Sequence, residues 1–136
     1  MTARGLSGKK AEVAFEKFLI DRGWQTERRK AVTTKVGKKF VTFSNDLFGC
    51  IDVLGLKPDE SNGKSTWGAQ VTTQKGANAR RRKIEKIRWP ASWRVSLVTH
   101  ERVPDPADRR KNKSFWRISD YVGGEWKPAV AMEDQG

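Results

Sequence analysis

The apolar positions near the start of the chain recur with a helical period. Ala11, Ala14, Phe15, Phe18 and Leu19 stand at i, i+3, i+4, i+7 and i+8, one face of a helix predicted from about Gly8 to Arg22. Ser7 suits its N-cap, and Gly23 suits a left-handed terminator. The character then changes. Ala31-Val32-Thr33-Thr34 and Phe40-Val41-Thr42-Phe43 are rich in β-formers and flank Val36-Gly37-Lys38-Lys39, which predicts a hairpin over residues 30–44. Ser44-Asn45-Asp46 breaks that pattern, and Gly49 permits a bend. Cys50–Leu56 is a near-continuous apolar run interrupted by Asp52, the pattern of a buried strand with one acid in it. A turn follows over Lys57–Lys64. The next elements predicted are a strand over Thr66–Thr72, a helix over Asn78–Arg88 and a strand over Arg94–Thr99. The helix turns Ile84 and Ile87 inward and ends at Trp89-Pro90. A polar, basic loop over 104–114 leads to a short strand at Phe115–Ile118, and residues 1–6 and 129–136 read as loose ends.

The order is α, β, β, β, α, β, β in 136 residues. That length and alternation predict one α/β domain with a mixed central sheet flanked by helices. No apolar run approaches the ~18 residues of a bilayer span. The first residues lack the apolar core of a secretory signal. One cysteine, Cys50, excludes an intrachain disulfide and reads as a small core residue. A reducing compartment follows: the cytoplasm of the cell, or of a host.

Charge narrows the partner. Lys and Arg number 28 against 16 Asp and Glu, a formal net charge of +12. Residues 74–94 hold eight basic residues and one acid, so seven of those twelve charges fall in one segment. A basic cluster of that density favours a polyanion, and nucleic acid first. Lys75, Arg80, Arg81, Arg82, Lys83, Lys86 and Arg88 circle the predicted second helix, with Lys9 and Lys10 on the first. Gly76-Ala77-Asn78 offers backbone N–H groups at a helix start. Arg28-Arg29-Lys30 and Arg109-Arg110-Lys111-Asn112-Lys113 can extend the patch. No zinc-finger spacing or RNA-stacking motif accompanies it, so backbone and shape are read in preference to sequence. The six tryptophans suit core or dimer-interface packing better than base stacking. His100, the only histidine, suits a polar strand end.

Three polar residues carry candidate chemistry. Asp52 is costly to bury in its β-run unless paired or bound to metal. Gln70 projects from the next strand opposite in sense to Ala69 and Val71. Glu12 lies at the flank of the first helix's apolar stripe, within reach of a sheet edge. Two carboxylates and an amide oxygen can hold a hard divalent cation, with the Val71 carbonyl as a backbone ligand and Asp46 as a further candidate. Such an ion serves phosphodiester hydrolysis by activating water and offsetting phosphate charge.

The ordered set resembles the PD-(D/E)XK nuclease superfamily, and within it the archaeal-type Holliday junction resolvases and their phage-encoded relatives. Gly8-Lys9-Lys10-Ala11-Glu12 followed by Gly23-Trp24 is similar to that group's first-helix motif. Asp52 in Ile51-Asp52-Val53-Leu54 corresponds to its metal-binding Asp, and Gln70-Val71-Thr72 to its Glu-x-Lys. The resemblance covers roughly residues 5–100. It implies a restriction-endonuclease-like core, Mg²⁺ (with Mn²⁺ as a substitute) and a homodimer that nicks opposed strands of four-way DNA junctions during recombination. It also assigns catalytic roles to Glu12, Asp52, Gln70 and Thr72. The chain departs from the pattern where Gln70 replaces Glu and Thr72 replaces Lys. Lys75, a basic residue of 80–83, or a second metal on Glu12 or Asp46 can supply the missing charge. The alternatives are another nuclease of the superfamily acting on linear duplex, a non-catalytic nucleic-acid-binding protein on a decayed nuclease fold, and a basic RNA-associated protein.

Overall fold

The computed structural model describes residues 5–6, 8–28, 32–43, 47–58, 60, 63–108 and 110–133. The first helix, α1 (Gly8–Ile20), forms where the apolar stripe predicts it. Ala11, Phe15, Phe18 and Leu19 are its buried residues. Gly23 has φ +89, the left-handed terminator expected of it. Strand β1 (Gln25–Arg28) follows at once. Its four residues are all polar, so nothing in their pattern announces a strand. Pairing with β4 (Val53–Leu56) makes it one, Gln25 opposite Leu56 and Arg28 opposite Val53. The predicted hairpin is present as β2 (Val32–Val36) and β3 (Lys39–Phe43), a separate two-stranded sheet.

The strand expected over Cys50–Leu56 is shorter. Leu47 and Ile51 pair across a tight turn, with Phe48 at φ 54 and Gly49 at φ 75, so Cys50 lies in that turn. β4 begins only at Val53, and Asp52 stands in the joint between turn and strand. β5 (Thr66–Thr72) has the predicted bounds. A 3-10 turn over Gln74–Gly76 then leads into α2 (Ala77–Glu85). α2 ends three residues earlier than the sequence suggests. The Trp89 indole N–H donates to the Ile84 carbonyl at 2.9 Å, which satisfies one of the helix's terminal carbonyls from outside the helix.

The C-terminal third departs furthest from expectation. β6 runs from Trp93 to Pro104 and β7 from Asn112 to Val122. They pair antiparallel from Ser96 opposite Asp120 to Pro104 opposite Asn112. The basic loop therefore narrows to the hairpin connection at 105–111. Asp105 and Asp108 stabilise it as Asx turns, their carboxylates accepting from the Ala107 and Arg110 N–H at 2.9 and 3.1 Å. β7 also pairs with β8 (Glu125–Trp126), and the expected loose tail instead supplies β9 (Val130–Glu133), likewise paired with β7.

The main sheet has seven strands in the order β1-β4-β5-β6-β7-β8, with β9 also on β7. Only β5 and β6 run parallel, joined by the crossover through α2. The fold is thus α/β with a mixed, open, mostly antiparallel sheet. Strand alternation sends Trp67, Ala69 and Val71 into a core shared with α1, Trp116 and Ile118. Phe15 packs edge-on against Trp67 (5.8 Å) and Trp116 (5.1 Å) there. Ile84 of α2 meets Ile51, Val95 and Leu97 in a second core. Val95 and Leu97 alternate with Ser96 and Val98, so the two cores lie on opposite faces of the sheet. No helix among the described residues is long and apolar enough to cross a membrane.

Candidate functional site

The Asp52 backbone N–H donates to the Ala69 carbonyl at 3.1 Å, which continues the β4–β5 pairing one residue beyond the strand. That contact fixes the Asp52 side chain beside the C-terminal half of β5. Its Oδ1 accepts from the Val71 N–H at 3.1 Å, and its Oδ2 accepts from Gln70 Nε2 at 2.9 Å. Both residues are buried, Asp52 at 4% exposure and Gln70 at 2%. Of the sequence-predicted residues, Asp52 and Gln70 of the trio therefore meet at one point, with the Val71 backbone beside them. A buried carboxylate here is matched by two donors, which removes much of the cost of desolvating it.

Gln70 is not equally satisfied. Its Nε2 is committed to Asp52, and its Oε1 is buried without a hydrogen-bond partner. An acceptor left in that state costs about 1–3 kcal/mol. Gln70 thus brings a bare amide oxygen to the side of a buried carboxylate, a pair of hard oxygen donors of the kind Mg²⁺ takes. Among the described residues no three His, Cys, Asp or Glu converge.

The other predicted site residues are placed as follows. Glu12 is half-buried on α1, next to Ala11 in the core that holds Val71. By strand alternation Gln70 and Thr72 project from the opposite face of β5. Thr72 is half-buried, and a Cβ added to Gly76 would lie 3.0 Å from its Oγ1, so the 3-10 turn folds back closely over it. Asp46 lies outside the described residues. Lys75, Arg82, Lys83, Lys86 and Arg88 are exposed, while Arg80 and Arg81 are partly covered. Lys9 and Lys10 are exposed on the first turn of α1. The basic helix therefore begins five residues past Thr72, at the end of β5 that carries the Asp52–Gln70 pair.

The β6–β7 pairing adds groups that sequence reading did not find. Arg117 donates to both Glu101 carboxylate oxygens, at 2.9 and 3.0 Å, and Gln74 Nε2 donates to Glu101 Oε1. The Arg117 hydrogen bond is the largest influence on Glu101. With the nearby guanidinium charge and Gln74, it outweighs desolvation and holds the carboxyl below its ordinary range. Arg117 is correspondingly raised, first by the same hydrogen bond. Farther along, Arg94 stacks 3.7 Å from the Trp67 ring centroid and binds Asp120 at 3.1 and 3.2 Å. These partners lie 16 to 27 residues apart, a separation at which no local period marks them.

No protein-family profile, curated protein or solved structure matches the chain. The reading of the site accordingly rests on its own residues.

Proposed function

We propose that this protein is a metal-dependent, structure-selective DNA endonuclease, a junction resolvase built on a restriction-endonuclease-like core. The observation that carries the reading is the buried Asp52–Gln70 pair, with its unpartnered amide oxygen, at the strand end that leads into an Arg/Lys-rich helix. Asp52, Gln70 and the Val71 carbonyl would hold Mg²⁺ or Mn²⁺, with Asp46 as an additional ligand and Glu12, on the α1 side of the sheet, acting through water or on a second ion. Rotation of the amide by a half-turn presents Oε1 where Nε2 now sits.

A bound divalent ion supplies a more acidic water and offsets charge on the phosphate. The remaining tasks fall to the chain. The Thr72 hydroxyl orients a water but adds no charge, and Lys75 on the adjoining turn supplies the positive charge that the Thr lacks. Arg80, Arg81, Arg82 and Lys83 hold the phosphate backbone, together with Lys9 and Lys10 of α1. Cutting two opposed strands requires two sites, hence a homodimer. The test is cleavage of a labelled four-way junction against matched linear duplex in Mg²⁺, with Asp52→Asn as control. Paired symmetric nicks confined to the junction support a resolvase, and equal cutting of duplex supports a different nuclease of this type. Absence of cleavage in either metal overturns both.

One observation favours a second reading. Gln70 already satisfies one Asp52 oxygen through a hydrogen bond that requires no ion, as a nucleic-acid-binding protein on a decayed nuclease fold would have it. Tight junction binding in EDTA, unchanged by Mg²⁺ and without cleavage, identifies that case.

A further inference from the structure

A cleft of about 210 Å³ opens on the α2 side of the sheet, between the start of α2 and strands β6 and β7. Gln74, Asn78, Arg81, Thr99, Arg117 and Ser119 contribute its polar lining. Thr99 is 6% exposed, and its hydroxyl is buried without a hydrogen-bond partner. Arg81 Nε is in the same condition. The other contacts of Arg81 are weak: Asn78 Oδ1 at 3.4 Å and the Trp126 ring at 5.6 Å. Two donors left unmatched at one cleft are expensive unless something occupies it.

The charge of the cleft is positive. Glu101 lies at its edge through Gln74, but Arg117 matches that carboxylate with two hydrogen bonds. The charge of Arg81 is therefore left over. α2 also starts here without a side-chain cap at Gly76, and Ala77 and Asn78 of its first turn line the cleft, although the Ala77 N–H is already given to the Gln74 carbonyl of the preceding 3-10 turn. The positive end of a nine-residue helix adds to the field. Ser119 contributes shape only, because its hydroxyl is already given to the Lys127 carbonyl at 2.8 Å.

We infer that this cleft is a binding site for a phosphate group, held by Arg81, the Thr99 hydroxyl and the first turn of α2. A planar guanidinium, a hydroxyl and helix N–H groups are the donors a phosphate oxyanion takes. At ~30 Å³ per water in the liquid, the volume admits the anion and some of its waters. The site is separate from the Asp52–Gln70 pair and calls for no divalent ion.

The experiment is an NMR titration of the full chain with inorganic phosphate in EDTA, against sodium chloride at matched ionic strength. Saturable shifts are expected at the Asn78 amide and the Arg81 Nε–H. Thr99→Val keeps the shape and removes the hydroxyl, so it should leave the fold intact and weaken binding about tenfold. Arg81→Lys keeps the charge but loses the guanidinium fork, and should weaken binding similarly. A short thymidine oligonucleotide with and without a 5′ phosphate then identifies the source. Tighter binding of the phosphorylated form assigns a terminal phosphate, equal binding assigns internal phosphodiesters, and response to inorganic phosphate alone assigns the free anion. Shifts that merely follow chloride, or a titration unchanged in both variants, overturn the site. Because EDTA removes metal throughout, failure of the nuclease reading leaves this result standing, and the reverse.

Discussion

Gln70 Nε2 donates to Asp52 Oδ2 across 2.9 Å inside the sheet, while the other oxygen of the same amide finds no partner. On the proposed metal-dependent reading, that free oxygen is the group that turns toward an ion. The reading predicts that the amide reorients when a divalent cation binds. The Gln70 side-chain NH₂ resonances should shift on titration with Mg²⁺ while the Val71 amide remains bonded to Asp52. Unmoved Gln70 signals at saturating Mg²⁺ would remove the metal reading.

Asp52→Asn should keep the fold and lose metal-dependent cleavage. Its Oδ1 still accepts from Val71, and a rotated Gln70 amide can accept from the new Nδ2. The loss in stability should be about 1 kcal/mol, whereas Asp52→Ala strands both donors and should cost about 1–3 kcal/mol. Thermal melts measure both. If Asp52→Asn abolishes junction binding together with cleavage, Asp52 is structural.

Gln70→Glu is the more informative change. It places a second carboxylate beside Asp52, and two like charges at that distance cannot both ionise cheaply. In EDTA the variant should be less stable by about 3 kcal/mol, the order of an uncompensated buried charge. Mg²⁺ should restore more stability to it than to the parent. Equal Mg²⁺ responses of the two proteins would count against a site here.

Glu101 gives a pH dependence of known sign. Arg117 holds its carboxyl below the ordinary 4.5, so the pair's stabilisation is complete above that pH and is lost as pH falls through the lower folded value. Arg117 is about half exposed, so solvent screening keeps the contribution under about 1 kcal/mol. Glu101→Gln should therefore lower stability at pH 7 by that small amount and flatten the acid limb, so that the two proteins converge as pH falls below about 4.5. An unchanged acid limb would show the pair to be inert.

Binding to DNA should weaken steeply with salt. The plot of log affinity against log salt should fall by ~0.9 for each phosphate neutralised. Arg82 and Lys83 are exposed on α2. Replacing both with Gln should reduce that slope by about 2 if each meets one phosphate. A slope indifferent to these charges would move the interface off α2.

Elements whose signal lies within their own length were legible from residues alone. The stripe from Ala11 to Leu19 specifies α1, β-formers on both sides of Gly37 specify the hairpin, and Thr66–Thr72 emerges with its predicted bounds. The candidate pair was legible for a similar reason, since an acid inside an apolar run and a Gln on the following strand stand out against their neighbours. The tertiary structure decided the rest. β1 is a polar tetrapeptide made a strand by β4, and β9 is a tail made a strand by β7. The extension of β6 and β7 depends on their pairing, because edge-to-edge hydrogen bonds are made by backbone that every sequence shares. Arg117 meets Glu101, and Thr99 and Gln70 Oε1 go without partners, only once distant strands are side by side. Periodicity reports which face a residue takes, and only the packed chain determines what stands opposite it.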